Sequence, residues 1–190
     1  FLKRNGFHTN QVKSCIIVGG GRAAYYLGKR LIELGVSVQI VENEKERCEE
    51  LSVLLPQAIV VNGDGTSEEL LNEIGITTTE SLVPLTGIDE ENIMLTLYAK
   101  EVSDAKVVTK INRITYTSVI DQLDLGSVVY PKYITSEAII AFVRSKTATM
   151  NNNIETMIHL FDERVEAIEF VVGDQSPVVN VPLSDLKLKS

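Results

Sequence analysis

Cysteine is scarce in this 190-residue chain, where only Cys15 and Cys48 occur. They have neither CxxC spacing nor a clustered histidine, which excludes a zinc site and a secreted disulfide framework. Their segments read as a buried strand and a helix, so both are expected to be reduced thiols packing as small hydrophobes. Long apolar runs are lacking as well. None approaches the roughly 20 residues that a bilayer demands, and no signal peptide is legible, so the chain reads as soluble and cytoplasmic. Positive charge is short: 18 Lys+Arg stand against 26 Asp+Glu, a net −8. Duplex binding draws on cations that neutralise phosphates, so this balance speaks against a nucleic-acid partner. A small anionic ligand stays open, because backbone N–H groups can cradle phosphate inside an acidic protein. Histidine offers no chemistry, since His8 lies in a polar segment and His159 alternates with apolar residues; neither has a nucleophile or metal ligand nearby in sequence.

What is present is a core. A 44% hydrophobic content beside 23% charged residues suits a soluble domain, and the length holds one full domain plus a fragment of a second. Residues 1–13 are polar and aperiodic, a linker. Short apolar runs then alternate with helical patterns: 15–18, 36–41, 58–61, 81–85, 106–111 and 128–130 read as strands, several apolar on both faces as buried parallel strands are. Between them 22–34, 44–55, 67–74, 89–101 and 114–123 read as amphipathic helices, with Gly35 stopping the first. This alternation predicts an α/β fold, a Rossmann-like doubly wound parallel sheet over 14–148 that ends in a helix at 132–148. Beyond Thr149 the pattern changes to two strands, 156–161 and 165–172, read as the start of a small α+β module filling 149–190. A chain that opens on Phe1 and closes on Leu186-Lys-Leu-Lys-Ser190 is expected to be a piece of a longer protein.

The strongest site signal is Ile16-Ile-Val-Gly-Gly-Gly-Arg-Ala-Ala24, a strand feeding a G-x-G-x-x-A turn and then a helix. Gly19 serves the tight turn, Gly21 lets backbone approach a pyrophosphate, and the small Ala24 lets helix pack on strand. Phosphates would sit on the helix N-terminus. Glu42 closes the second strand about twenty residues after Gly21, where a carboxylate binds a ribose diol and repels a 2′-phosphate. Its alternative is a cap on the next helix. Gly63-Asp-Gly-Thr66 follows the third strand at the carboxyl edge of the sheet, so Asp64 and Thr66 are candidates for the adenosine side; a turn plus N-cap satisfies the same residues. Arg22 is a candidate phosphate clamp. Lys110 and Arg113 close the fifth strand at the ligand edge, or form a solvated basic pair. Asp89-Glu-Glu91 reads as an acidic first helical turn.

Taken together, GGGRAAYYLGKRL (19–31), VENEKERCEEL (41–51), NGDGTSEELLNEIGI (62–76), LTGIDEENIMLTLYAK (85–100), TKINR (109–113) and YPKYITSEAIIAFVR (130–144) resemble the TrkA family of RCK (KTN) domains over about residues 13–172. The likeness is greatest to the second of that family's two tandem Rossmann units. The resemblance implies a nucleotide sensor that binds NAD(H) or ATP/ADP without consuming it. It implies dimers or tetrameric rings at the inner face of the cell membrane, beneath a Trk-type potassium-translocating subunit, with helix 132–148 building the dimer. Carried over by motif, Gly19, Gly21 and Arg22 would hold phosphate, Glu42 the ribose, and Asp64 and Thr66 the adenosine side, with Gly20, Ala23, Ala24, Gly63, Gly65 and Thr86 in the same cofactor-binding set. Arg47, Lys110 and Arg113 complete the implied set. Ala24 departs from the glycine common in the family. Nothing in the sequence supplies a general acid or a substrate domain, so catalysis is not expected. The alternatives are a fragment of an NAD-dependent oxidoreductase and an interaction module that has lost its ligand.

Overall fold

The structure is a computed structural model that describes residues 11–113, 115, 117–147, 153–160, 165–174, 176, 178–182 and 185. His8 and most of the expected linker lie outside the described residues. The chain divides into two units, Phe1–Pro131 and Lys132–Ser190.

The first unit alternates strand and helix: β1 (Ser14–Val18), α1 (Arg22–Glu33), β2 (Ser37–Glu42), α2 (Lys45–Leu54), β3 (Ile59–Asn62), α3 (Glu68–Glu73), β4 (Ser81–Pro84), α4 (Asp89–Val102), β5 (Lys106–Lys110), α5 (Thr117–Ile120) and β6 (Ser127–Val129). The strands form one sheet in the order β3-β2-β1-β4-β5-β6, and every neighbouring pair is parallel. This is the doubly wound Rossmann arrangement that the sequence predicts, with the order reversing between β1 and β4.

Period-two alternation explains why β1 is apolar from Cys15 to Val18. Ile16 and Val18 point to one face and pack with Val41, Leu71, Leu82 and Leu95. Cys15 and Ile17 point to the other and pack with Ala24, Ile40, Leu51 and Val83. Both faces are covered from Cys15 to Val18, and the one polar residue of the strand, Ser14, stands at its half-buried start. Cys15 and Cys48 are free and buried, and burial raises both thiols above their ordinary pKa.

α5 is shorter than the expected helix 114–123. Its end tightens at once: Gln122 N–H bonds to Val119 O at 3.1 Å and Leu123 N–H to Ile120 O at 3.0 Å, three-residue steps that close a turn instead of extending a helix.

The second unit contains α6 (Pro131–Thr147, its first residue shared with the boundary) and an antiparallel pair, β7 (Asn153–Leu160) and β8 (Val165–Val171). β7 starts three residues before the expected run, and His159 lies within it opposite Glu166. No described helix is long and apolar enough to cross a membrane.

Candidate functional site

The two halves of the sheet diverge beyond the carboxyl ends of β1 and β4, and loops gather there around a cleft of about 570 Å³. The loop after β1 is fixed by short backbone bonds: Gly19 N–H to Val41 O at 2.8 Å and Leu85 N–H to Val18 O at 2.7 Å. Gly19 has φ +100°, a left-handed conformation that side chains resist, and a Cβ there would stand 3.0 Å from the carbonyl carbon of Leu85. Gly21 is different. It is the N-cap of α1 at φ −65°, and a Cβ on it would meet nothing within 4 Å. Internal packing therefore gives no reason for glycine at 21, whereas approach of a ligand to the backbone does. α1 has no side-chain cap and no acid in its first turn, so no side chain of its own serves the N–H groups of its first turn.

Glu42 reaches back into that loop. Its Oε2 accepts the Gly20 N–H at 2.6 Å, and its Oε1 accepts the Glu44 N–H at 2.8 Å. Arg47 holds the next peptide, donating from Nε to Gly20 O at 2.7 Å, and its Nη1 pairs with Glu50 at 2.5 Å. Gly20 is thus held at both its backbone N–H and its carbonyl. Ala24 is fully buried against β1, as its packing role requires.

After β3, Asp64 Oδ1 accepts both the amide and the hydroxyl of Thr66, at 2.9 and 2.7 Å. These bonds hold the Asp64 carboxyl below its ordinary pKa. Ser67 caps α3, its hydroxyl accepting the Leu70 N–H at 3.4 Å, whereas α2, the helix after Glu42, has no side-chain cap. Gly65 lies so close to Val18 that no Cβ fits, and Gly63 is crowded by Leu70.

The far wall comes from β4 and β5. Thr86 folds over its own loop, its hydroxyl donating to Ile88 O at 3.1 Å. Lys110 lines the cleft and donates from Nζ to Leu85 O at 2.9 Å; burial lowers its pKa, and the Asp89 charge works against that shift. Asn92, fully buried, accepts the Thr86 N–H at 2.9 Å and donates to Lys110 O at 3.0 Å, tying the two strand ends to α4. No periodicity argument singles out Asn92, since its position on α4 matters only once β4 and β5 are adjacent.

The cleft thus gathers Gly19, Gly20, Gly21, Glu42, Asp64, Gly65, Thr66, Thr86 and Lys110, together with Asn43, Gly87, Ile88 and Glu91, none of which the sequence marked as a site residue. Arg22, Ala23, Ala24, Arg47, Gly63 and Arg113 are not among its lining residues. Arg113 bends to α4, where its Nη2 meets Glu90 at 2.6 Å and its Nε meets Asp89 at 3.5 Å.

Asp89 does more than decorate a helix start. Its Oδ1 accepts the Asn112 N–H at 2.9 Å and its Oδ2 the Arg113 N–H at 2.9 Å, so it anchors the strand exit of β5. Burial pushes its pKa up, but the bonds from Asn112 and Arg113 prevail and hold it below the ordinary carboxylate value. A lowered folded-state pKa stabilises the fold fully above about pH 4, and the benefit is lost as pH falls through the lowered value. Asp89→Asn should therefore cost about 2 kcal/mol near neutrality, the scale of bonds to a charged group, with the deficit closing below roughly pH 4. Denaturant midpoints measured against pH check this, and parallel curves for the two chains would refute it.

The sequence model of the TrkA-N domain family matches residues 15–131. A curated relative, the Trk system potassium uptake protein trkA homolog 1 of Methanosarcina mazei, is 31% identical over 173 residues, covering 90% of this chain and 41% of that protein. The chain thus spans about two fifths of that relative's length. Among solved structures, the C-terminal domain of Kef from Shewanella denitrificans in its AMP-bound form superposes with a TM-score of 0.61 at 18% identity, covering 72% of this chain and 83% of that one. The GsuK channel bound to NAD gives 0.55 at 14% identity, covering 85% and 29%. At such identities these two speak for the fold alone, and the fold agrees with the strand order described above. With most of the first unit matched from Cys15 to Pro131, this chain belongs to the TrkA-N domain family.

Proposed function

We propose that the chain is a nucleotide-sensing regulatory module of a potassium-uptake system. The observation that carries the binding role is the Glu42 carboxylate, held 2.6 Å from the Gly20 amide at the mouth of an uncapped helix. An adenosine ribose placed on Glu42 would leave the attached phosphates over Gly19–Gly21 and the α1 N-terminus, in a cleft that Lys110 also lines. Asp64 and Thr66 border the same cleft and serve the adenosine side. The ligand is NAD(H) or ATP/ADP; a relative in fold carries AMP and another carries NAD, which supports an adenine nucleotide without choosing one. The role is binding, with no reaction assigned to the site.

The partner in this reading is a Trk-type membrane potassium-translocating subunit, in keeping with the name of the Methanosarcina mazei relative. The module works at the cytoplasmic face as a homodimer or tetramer. The exposed Ile134, Ile139 and Ile140 of α6 support self-association. Nucleotide binding biases one arrangement of the Rossmann units over another, which requires different contacts in the two arrangements.

The test is calorimetry of the chain with NAD, NADH, ATP, ADP and NADP. Saturable binding of at least one of the first four, with NADP rejected, is expected; flat heats for all five would overturn the reading. Solution scattering with and without the bound nucleotide tests the arrangement, and identical profiles would remove the proposed transmission step. Arg47 allows a finer check. Because it holds Gly20 O and not the cleft itself, Arg47→Ala should weaken phosphate-bearing nucleotides about tenfold, the size of one charge-assisted bond, and leave adenosine unchanged. Equal loss for adenosine would refute this positioning role.

A further inference from the structure

Beside the nucleotide cleft, on the other side of Thr66 and Glu91, α3 and α4 leave a groove of about 580 Å³. Its floor is apolar. Leu71 and Leu95 come up from the core, and Met94 and Tyr98 stand one turn apart on α4, Met94 with 64% of its surface exposed. Its rim is acidic throughout: Glu68 on α3 and Glu90, Glu91 and Glu101 on α4. Glu90 is paired with Arg113, whereas Glu68, Glu91 and Glu101 have no Lys or Arg ion pair among the described residues. From Glu90 to Glu101 the wall is about 16 Å long at the α-helical rise, the length of a three-turn helix.

An apolar strip of this length, edged by uncompensated carboxylates, selects an occupant with the opposite pattern. An amphipathic helix with leucine-like residues at i, i+3, i+4 and i+7 would fill the floor, and flanking lysines or arginines would meet the rim. We infer that this groove is a docking site for a cationic amphipathic helix of another protein. The charge argument sets the choice: an anionic or neutral helix would leave three carboxylates facing an apolar contact without compensation. This docking does not depend on the nucleotide reading. It uses the α3/α4 face, and it is tested in the absence of nucleotide so that the two can fail separately.

The probe is a fluorescein-labelled 18-residue Leu/Lys amphipathic peptide, with a Leu/Glu peptide of the same pattern as control, read by anisotropy against the full chain. Saturable binding of the Leu/Lys peptide is expected, with no response to the Leu/Glu peptide. Met94→Glu should weaken it about tenfold by placing a charge in the apolar floor, and the double variant E68Q/E101Q about tenfold by removing rim charge. These side chains are exposed, and circular dichroism checks that each variant stays folded. Three results would overturn the inference: equal affinity for both variants and the native chain, which marks diffuse adsorption to an acidic surface; equal binding of the Leu/Glu peptide; or concentration-dependent self-association of the native chain that M94E abolishes, which assigns the groove to a second copy.

Discussion

A chain carrying Glu42→Ala is expected to bind adenine nucleotides about 100-fold more weakly than the native chain. The two hydroxyls of a ribose diol would each donate to the carboxylate, and bonds to a charged acceptor contribute about 1.5–3 kcal/mol; losing their combined effect corresponds to about two decades in Kd. The fold should survive. The two amides that Glu42 now accepts, Gly20 N–H and Glu44 N–H, lie at the edge of an open cleft where water can replace the carboxylate. Calorimetry gives the affinity and a thermal melt gives the stability. An E42A chain that binds as tightly as the native one would place the ribose elsewhere. A chain that binds NADP more tightly after the change would show instead that the carboxylate was the element rejecting the 2′-phosphate, which is the same assignment read from the other side.

Two glycines two positions apart, Gly19 and Gly21, should separate stability from binding. At Gly19, alanine meets two costs. The backbone has φ +100°, and the new Cβ would lie 3.0–3.1 Å from the backbone of Leu85 and Thr86. Strain of that kind costs about 1–3 kcal/mol and forced packing a similar amount, so Gly19→Ala should lose about 3 kcal/mol and roughly 6–12 °C of melting temperature. At Gly21 neither cost applies, since φ is −65° and a Cβ has free space. Gly21→Ala should melt within about 2 °C of the native chain, while phosphate-bearing ligands lose affinity because the methyl occupies the approach to the backbone. Thermal melts of the two variants decide the first point and titrations of G21A the second. If G19A melts no lower than G21A, the left-handed turn is not the constraint described here.

The alternation of elements, and with it the parallel sheet, is legible in residue order. Strands apolar on both faces, such as 15–18, can only be buried between two layers, and the helical stretches between them supply those layers. So is the turn chemistry: Gly19 sits at positive φ where the fingerprint demands it, Ala24 is buried where a small residue must be, and Ser67 caps the helix that follows Asp64. These features are legible because each is fixed by residues within a few positions of one another.

The relations across the sheet emerge with the closed fold. Arg47, expected near ligand, proves to hold the Gly20 carbonyl, a partner 27 residues away. Arg113, expected at the ligand edge with Lys110, is drawn to Asp89 and Glu90 on α4, while Lys110, three residues earlier, faces the cleft. Strand direction alone cannot separate that pair, because which carboxylate stands within reach depends on how α4 packs against β5. Asn92 and Asp89 look like ordinary residues of a helix start until β4 and β5 lie side by side, when they become the ties between strand ends. Local sequence sets backbone conformation and pattern, because those energies act between neighbours in the chain. The partner of a charged or polar side chain is set by which groups the fold brings within about 3 Å, and that distance exists only after the sheet has closed.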